Sequence, residues 1–262
     1  MTVLVNIVSA FGVLVVLPLG LALIEAPGLM PLRRWWLVGA IPGAASVWLP
    51  RGGVAVLLAA AYLVPAAWLA VCAGRRFARD RRVTVLDVAA LTALVTPLAG
   101  AIALVAERGG VRLFGFSLGI LALTLPHLHF AGFAAALIAG LTSRAAGDGR
   151  MPTLSALAVP VGTLLVLAGY FVNDAAELAG AIVLTAGLWT TAWLLWRSGV
   201  ARIAAVTVAV TMALALSWAM GEATGLPHPS IQWMAATHGL ANAVGFALCA
   251  LLAYRSRQVG PL

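Results

Sequence analysis

Residues 53–73 read GVAVLLAAAYLVPAAWLAVCA, a run of 21 residues with no charged side chain. As a helix it would rise about 32 Å, enough to cross a hydrocarbon layer of roughly 30 Å. Directly after it come Arg75, Arg76, Arg79, Arg81 and Arg82. The pattern of an apolar run closed by arginines or turn residues then repeats in both directions. It divides the chain into nine predicted crossings: 3–24, 35–49, 53–73, 85–106, 113–139, 154–172, 176–196, 203–220 and 232–253. The second is short and carries Pro42 and Gly43, which leaves open a broken or re-entrant segment, tolerated where neighbouring protein covers the freed backbone groups.

Composition agrees with that division. Of 262 residues, 63% are hydrophobic and 9% charged, where a soluble domain carries about 25% charged residues, so too few polar groups exist to cover a water-facing exterior. The expected fold is all-α, a polytopic transmembrane helical bundle in one domain over residues 1–262. The first apolar stretch lacks a basic leader and a small-residue cleavage motif, so it reads as a retained helix. Cys72 and Cys249 sit far apart in apolar runs and read as small hydrophobes, with no disulfide framework or thiolate metal site suggested.

All sixteen basic residues are arginine, giving a formal charge of +8. With nine crossings, thirteen fall on one side (Arg33, Arg34, the five after residue 73, Arg144, Arg150, Arg197, Arg202, Arg255 and Arg257) and only Arg51, Arg108 and Arg112 on the other. Cytoplasmic loops carry the basic excess. The expected topology is therefore N-terminus out and C-terminus in, in a bacterial cytoplasmic membrane, and the positive charge reads as a topology signal with no nucleic-acid partner.

Ionisable groups within a membrane are costly and default to functional candidates. Glu25 and Glu107 sit at predicted helix ends, where solvation at the interface is the ordinary reading. Thr84-x-x-Asp87 and Asp174-x-x-Glu177 both have capping-box spacing, although Asp174 and Glu177 also lie on the arginine-poor side beside Glu222. His228, between Pro227 and Pro229, reads as a surface loop residue.

Two stretches stand out. Thr124-Leu-Pro-His127-Leu-His129-Phe130-Ala-Gly-Phe133 places two imidazoles at mid-membrane depth, after a proline that removes a backbone donor and frees a carbonyl. At i and i+2 on a regular helix the two rings point about 200° apart, so they do not chelate one metal together. His129 reads equally well as a structural donor to a neighbouring carbonyl. Thr237-His238-Gly-Leu-Ala-Asn242-Ala-Val-Gly-Phe246 sets His238 and Asn242 on one face, among small residues that allow close helix approach. That reads either as a packed interface or as a histidine oriented in a cavity.

These two stretches resemble the signature segments of YndJ-like bacterial membrane proteins. Residues 86–140, including Phe114-Gly-Phe-Ser117, and Glu177-Leu-Ala-Gly-Ala181 are similar to the family pattern as well, while Leu128 stands where the pattern has an aromatic residue. The resemblance implies no settled activity. It singles out His127, His129, His238, Asn242 and Glu177.

The expected function is an intramembrane enzyme acting by acid–base chemistry on a lipophilic, isoprenoid-derived substrate, in the manner of terpene-cyclase-like cyclisation by protonation or epoxide opening. Size and architecture are similar to small membrane-bound terpene cyclases, an analogy of class without a motif match. Asp174, Glu177 or Glu222 would be the acid, and His127, His129 or His238 would orient it or remove the final proton. Asn242, Trp218, Trp233, Phe130 and Tyr170 would contact the substrate, with Trp35, Trp36 and Trp189 as further aromatic walls facing developing positive charge. This reading needs no cofactor and no metal, and its partners are the lipophilic small molecule and membrane lipid. The rival class is non-enzymatic: a transporter with broken helices at Pro42, Pro97, Pro126 and Pro160, or a haem- or metal-binding module using His127, His129 and His238. The thirteen-to-three split predicts that, in a background lacking both native cysteines, Arg112→Cys is labelled by a membrane-impermeant thiol reagent on intact cells and Arg79→Cys only after lysis; the reverse pattern would invert the topology.

Overall fold

The structure, a computed structural model, describes residues 2–81, 83–257 and 260–262; Arg82, counted above, lies outside the described residues. All the regular elements among them are helical. Among the described residues nine long helices follow one another: α1 Val3–Leu21, α2 Leu29–Ser46, α3 Gly53–Asp80, α4 Val85–Arg108, α5 Leu118–Ala146, α6 Arg150–Gly169, α7 Asp174–Ser198, α8 Arg202–Thr224 and α9 Ile231–Ser256. Eight of these described helices, all but α2, are long and apolar enough to cross a membrane. The chain is an all-α polytopic integral membrane protein.

α2 has Arg33 and Arg34 in its first turns, which lowers its hydropathy, yet its neighbours show how far it runs. Gly28, just before it, accepts a hydrogen bond from Trp68 Nε1 at 3.1 Å. Gly39 packs on Ala61 and Pro65, and Gly43 on Tyr62. As α2 advances α3 recedes, so the two are antiparallel. The 18 residues of α2 rise about 27 Å. The helix continues through Pro42, so the segment that the sequence left open as broken or re-entrant is one unbroken helix.

The chain divides into two compact units, and both α4 and α5 run from one into the other. The first holds residues 1–83 and 90–134. Its core has Trp36, Tyr62 and His129 wholly enclosed. Two stretches of this unit widen into π-helix, Gly12–Val16 in α1 and Leu128–Ala134 in α5. The first has a local cause. Leu17 N–H bonds back to Gly12 O, one residue further than in an α-helix, and Pro18 next in line has no N–H to give. The carbonyl of Val13 is thereby left over, and Trp36 Nε1 donates to it at 2.9 Å.

The second unit holds residues 84–89 and 135–260. Its most intimate contact joins α6 and α7 through four glycines. Gly162 meets the backbone of Leu184, Gly169 that of Glu177, Gly180 that of Val166, and Gly187 that of Val159. Each helix contributes two glycines seven residues apart, on one antiparallel seam. Because lipid supplies no hydrophobic drive between helices, van der Waals contact of bare backbones is what joins them. The seam also sets Gly169, the last residue of α6, directly on Glu177 in the first turn of α7. α9 carries two more widened stretches, Ala235–Gly239 and Asn242–Leu248.

A side chain on this seam meets backbone that cannot swing aside. Gly180→Leu is expected to cost more than the roughly 1–3 kcal/mol of ordinary overpacking and to abolish the monodisperse peak in detergent size-exclusion chromatography. Gly74→Leu, where nothing lies within 4 Å of the new Cβ, should elute as the parent; equal behaviour of the two would refute the seam.

Candidate functional site

The sequence candidates fall into three constellations, one in the first unit and two in the second. In the first unit, His129 is wholly buried and its Nε2 lies 2.8 Å from Tyr62 Oη. The phenol stands edge-on both to the imidazole, centroids 5.8 Å apart, and to the Trp36 indole at the same separation. The Nδ1 side of the imidazole abuts Gly12, where a Cβ would come within 3.2 Å of Nδ1 and 3.4 Å of the Phe130 ring. His127 is exposed, so the two imidazoles of the motif do diverge. Tyr62 was missed in the sequence reading. So was Trp36 as a hydrogen-bond donor: it is a core anchor, while Trp35 beside it is exposed.

In the second unit, α8 and α9 share a polar trio at mid-helix. His238 Nδ1 donates to the Thr211 carbonyl at 2.8 Å, which fixes the proton on that nitrogen and leaves Nε2 as the acceptor in the neutral ring. Asn242 Nδ2 approaches Nε2 at 3.3 Å, and Asn242 Oδ1 accepts from Thr211 Oγ1 at 2.7 Å. Thr211 was not a sequence candidate. It also lines a shallow apolar groove with Val210, Leu214, Trp233, Leu240 and Val244, and half of Trp233 is exposed there.

The third constellation lies at the end of the same unit where α6 stops, α7 starts and α8 stops. Tyr170, the residue after α6, hydrogen-bonds Glu177, and Glu177 lies within electrostatic reach of Asp174 and Glu222. Burial, then the charge and hydrogen bond of Glu177, then the charge of Glu222 push the Tyr170 phenol well above its ordinary range, so its hydroxyl stays a donor. His228 Nε2 pairs with Glu222 at 3.2 Å, rests on Gly221 and meets the Trp218 ring edge-on at 6.4 Å. The loop histidine thus has specific partners that its flanking prolines did not advertise.

Two expectations are corrected. Asn173, and not Asp174, caps α7: its side chain accepts from Ala176 N–H at 2.9 Å, leaving Glu177 free for Tyr170. Asp87, by contrast, does form the capping box with Thr84. Glu107 is not solvated at an interface; it is 1% exposed, paired with Arg51 at 2.8 Å and with Arg108. Arg108 in turn donates to the carbonyls of Ser46 and Leu49 at the end of α2. Among the described residues, no three His, Cys, Asp or Glu side chains stand together in a way that could hold a metal ion.

Residues 7–246 match the model of the YndJ-like protein family, and the chain belongs to that family. No curated protein and no solved structure matches it.

Removing the carboxylate from Glu107 would leave Arg108 as a buried cation without its counter-charge, a loss on the order of 3–5 kcal/mol. Glu107→Gln is therefore expected to melt well below the parent in detergent. Arg51→Gln, at a half-exposed position, should cost about 1 kcal/mol or less; equal losses would show that the cluster is not anchored through Glu107.

Proposed function

We propose that this YndJ-like protein is an intramembrane enzyme that performs acid–base chemistry on a lipophilic, isoprenoid-derived substrate at the Tyr170–Glu177–Glu222 end of its second unit. The supporting observation is one of concentration. Three of the chain's eight carboxyl residues and one of its four histidines gather there around a tyrosine donor. Interface solvation or capping accounts for isolated carboxylates; it does not account for three that repel one another.

In this proposal Glu177 or Glu222, with Asp174 beside them, gives a proton to an alkene or an epoxide oxygen of the substrate. Tyr170 orients Glu177 through its hydrogen bond, and the Trp218 and Trp233 rings face the developing cation. The terminal proton passes to His228 or to Nε2 of His238, which the Thr211 carbonyl keeps as an acceptor and the Asn242 amide approaches at 3.3 Å. His238 lies seven residues into α9, about 10 Å from that helix's start, and the substrate's apolar chain would lie along the groove between α8 and α9. The proposed setting is a bacterial cytoplasmic membrane, N-terminus out, which turns the carboxylate end outward.

The test is untargeted lipid and isoprenoid profiling of cells expressing the parent, Glu177→Gln, Glu222→Gln and His238→Ala. A product present in the parent and reduced on the order of 10²–10⁴-fold when the general acid is neutralised is the expected outcome. Identical profiles in all four strains, at matched membrane expression, would overturn the proposal.

A further inference from the structure

The Tyr62–His129 pair lies in the first unit and has no part in the chemistry proposed above. We infer that it is a binding site for one hydroxyl group, reached at Nδ1 of His129.

The inference starts from a count of hydrogens. A neutral imidazole carries one N–H and a phenol one O–H, so the pair owns two hydrogens and spends one of them on the 2.8 Å contact between Tyr62 Oη and His129 Nε2. If the phenol donates, the imidazole proton sits on Nδ1 and needs an acceptor. If Nε2 donates, the Tyr62 hydrogen needs an acceptor and the Nδ1 lone pair needs a donor. Among the described residues Nδ1 has no partner, although it is wholly buried. Buried polar atoms of this kind are nearly always satisfied, and an exception points to a group that belongs there.

The chemistry of that group follows from the same count. A carbonyl can only accept, and so serves one tautomer; an ammonium can only donate, and so serves the other. A hydroxyl does both. It needs no neighbouring charge, which suits a core whose other large side chains are Trp36 and Phe133. Gly12 packs against Nδ1 so closely that a Cβ there would come within 3.2 Å of it, and its turn of α1 is the π-widened one, in which backbone carbonyls fall out of the regular ladder. Widened turns of this type recur at functional sites. Two sources supply a hydroxyl at this depth, a buried water and a lipid-soluble alcohol.

Nitrogen-15 spectra of histidine-labelled, full-length protein separate them. The His129 resonances are assigned by their loss in His129→Gln, and spectra are taken of delipidated protein in detergent with and without farnesol, a long-chain isoprenoid alcohol. Nδ1 at a hydrogen-bonded shift before farnesol, and unchanged by it, identifies water. Nδ1 moving to a hydrogen-bonded shift only on adding farnesol identifies the lipid-soluble alcohol. Gly12→Ala should return Nδ1 to the unbonded position, because the new Cβ crowds it. Tyr62→Phe gives an independent check that leaves α1 intact: Nε2 should move to an unbonded shift while Nδ1 stays at a hydrogen-bonded one. An unbonded Nδ1 in the parent under both conditions overturns the inference, as does a bonded Nδ1 that Gly12→Ala leaves in place, since the partner would then be protein.

Discussion

In a bilayer every backbone polar group must find its partner inside the protein, and the first unit is organised around one place where a helix fails to provide it. Pro18 has no N–H, the turn at Gly12–Val16 widens, and the Val13 carbonyl is left over. The indole of Trp36 closes that gap. Trp36 then holds Tyr62 edge-on, Tyr62 bonds His129, and the far side of the His129 ring returns to Gly12 in the same widened turn. The circuit passes through α1, α2, α3 and α5 and uses only three large side chains. Gly43 lets α2 sit directly on Tyr62, so the packing of small residues and the polar circuit depend on each other.

The second unit reaches its order by another route. The glycine seam of α6 and α7 joins helices with almost no side chain between them, and its last step places Gly169 under Glu177. Tyr170 therefore has no choice of neighbour: one residue beyond the seam, it sits beside the first turn of α7. A carboxylate cluster that would be diffuse on flexible loops is thus held by backbone packing, as a positioned site requires.

Much of the fold was legible because solvent dictates it. Charge-free runs of membrane length and the arginines between them located all nine helices, with errors at the ends. The third runs on to Asp80, past its expected end at Ala73, because Arg75 stacks over Trp68 at 4.8 Å and Arg76 donates to the Glu25 carbonyl at 2.8 Å, so the basic residues remain helical while their heads find partners. The fifth begins at Leu118 and not at Leu113, after a tight turn in which Phe114 takes a positive φ of 54°. The widened turns were not legible, since the apolar period barely changes through them. Three of the four described nevertheless fall on the two stretches that sequence singled out, Leu128–Ala134 in one and both Ala235–Gly239 and Asn242–Leu248 in the other; Gly12–Val16 does not. The missed partner Tyr62 did leave a signal. The chain has three tyrosines, each next to or within an apolar run, and a buried phenol needs a partner; Tyr62 finds His129, Tyr170 finds Glu177 and Tyr254 finds Thr142. Asking that question of each tyrosine would have pointed toward two of the three constellations.

Burial alone does not separate structural from functional polar groups in this protein. Glu107 is 1% exposed, yet it is paired with two arginines, and the second of them also serves the carbonyls that end α2, with Asn6 donating to Val47 O at 2.8 Å beside it. Both Glu107 oxygens are engaged by guanidinium groups and Arg108 also donates to backbone carbonyls, so the cluster can hold the fold and has little left to offer a ligand. His129 is equally enclosed but keeps one nitrogen unspent, and the Glu177 cluster keeps three carboxyl groups with a single histidine and one phenol between them. What marks a group for chemistry inside a membrane is therefore the bonding capacity that the protein itself leaves unused. By that measure the Nδ1 of His129 and the carboxylates around Tyr170 stand apart from a buried ion cluster that depth alone would have ranked beside them.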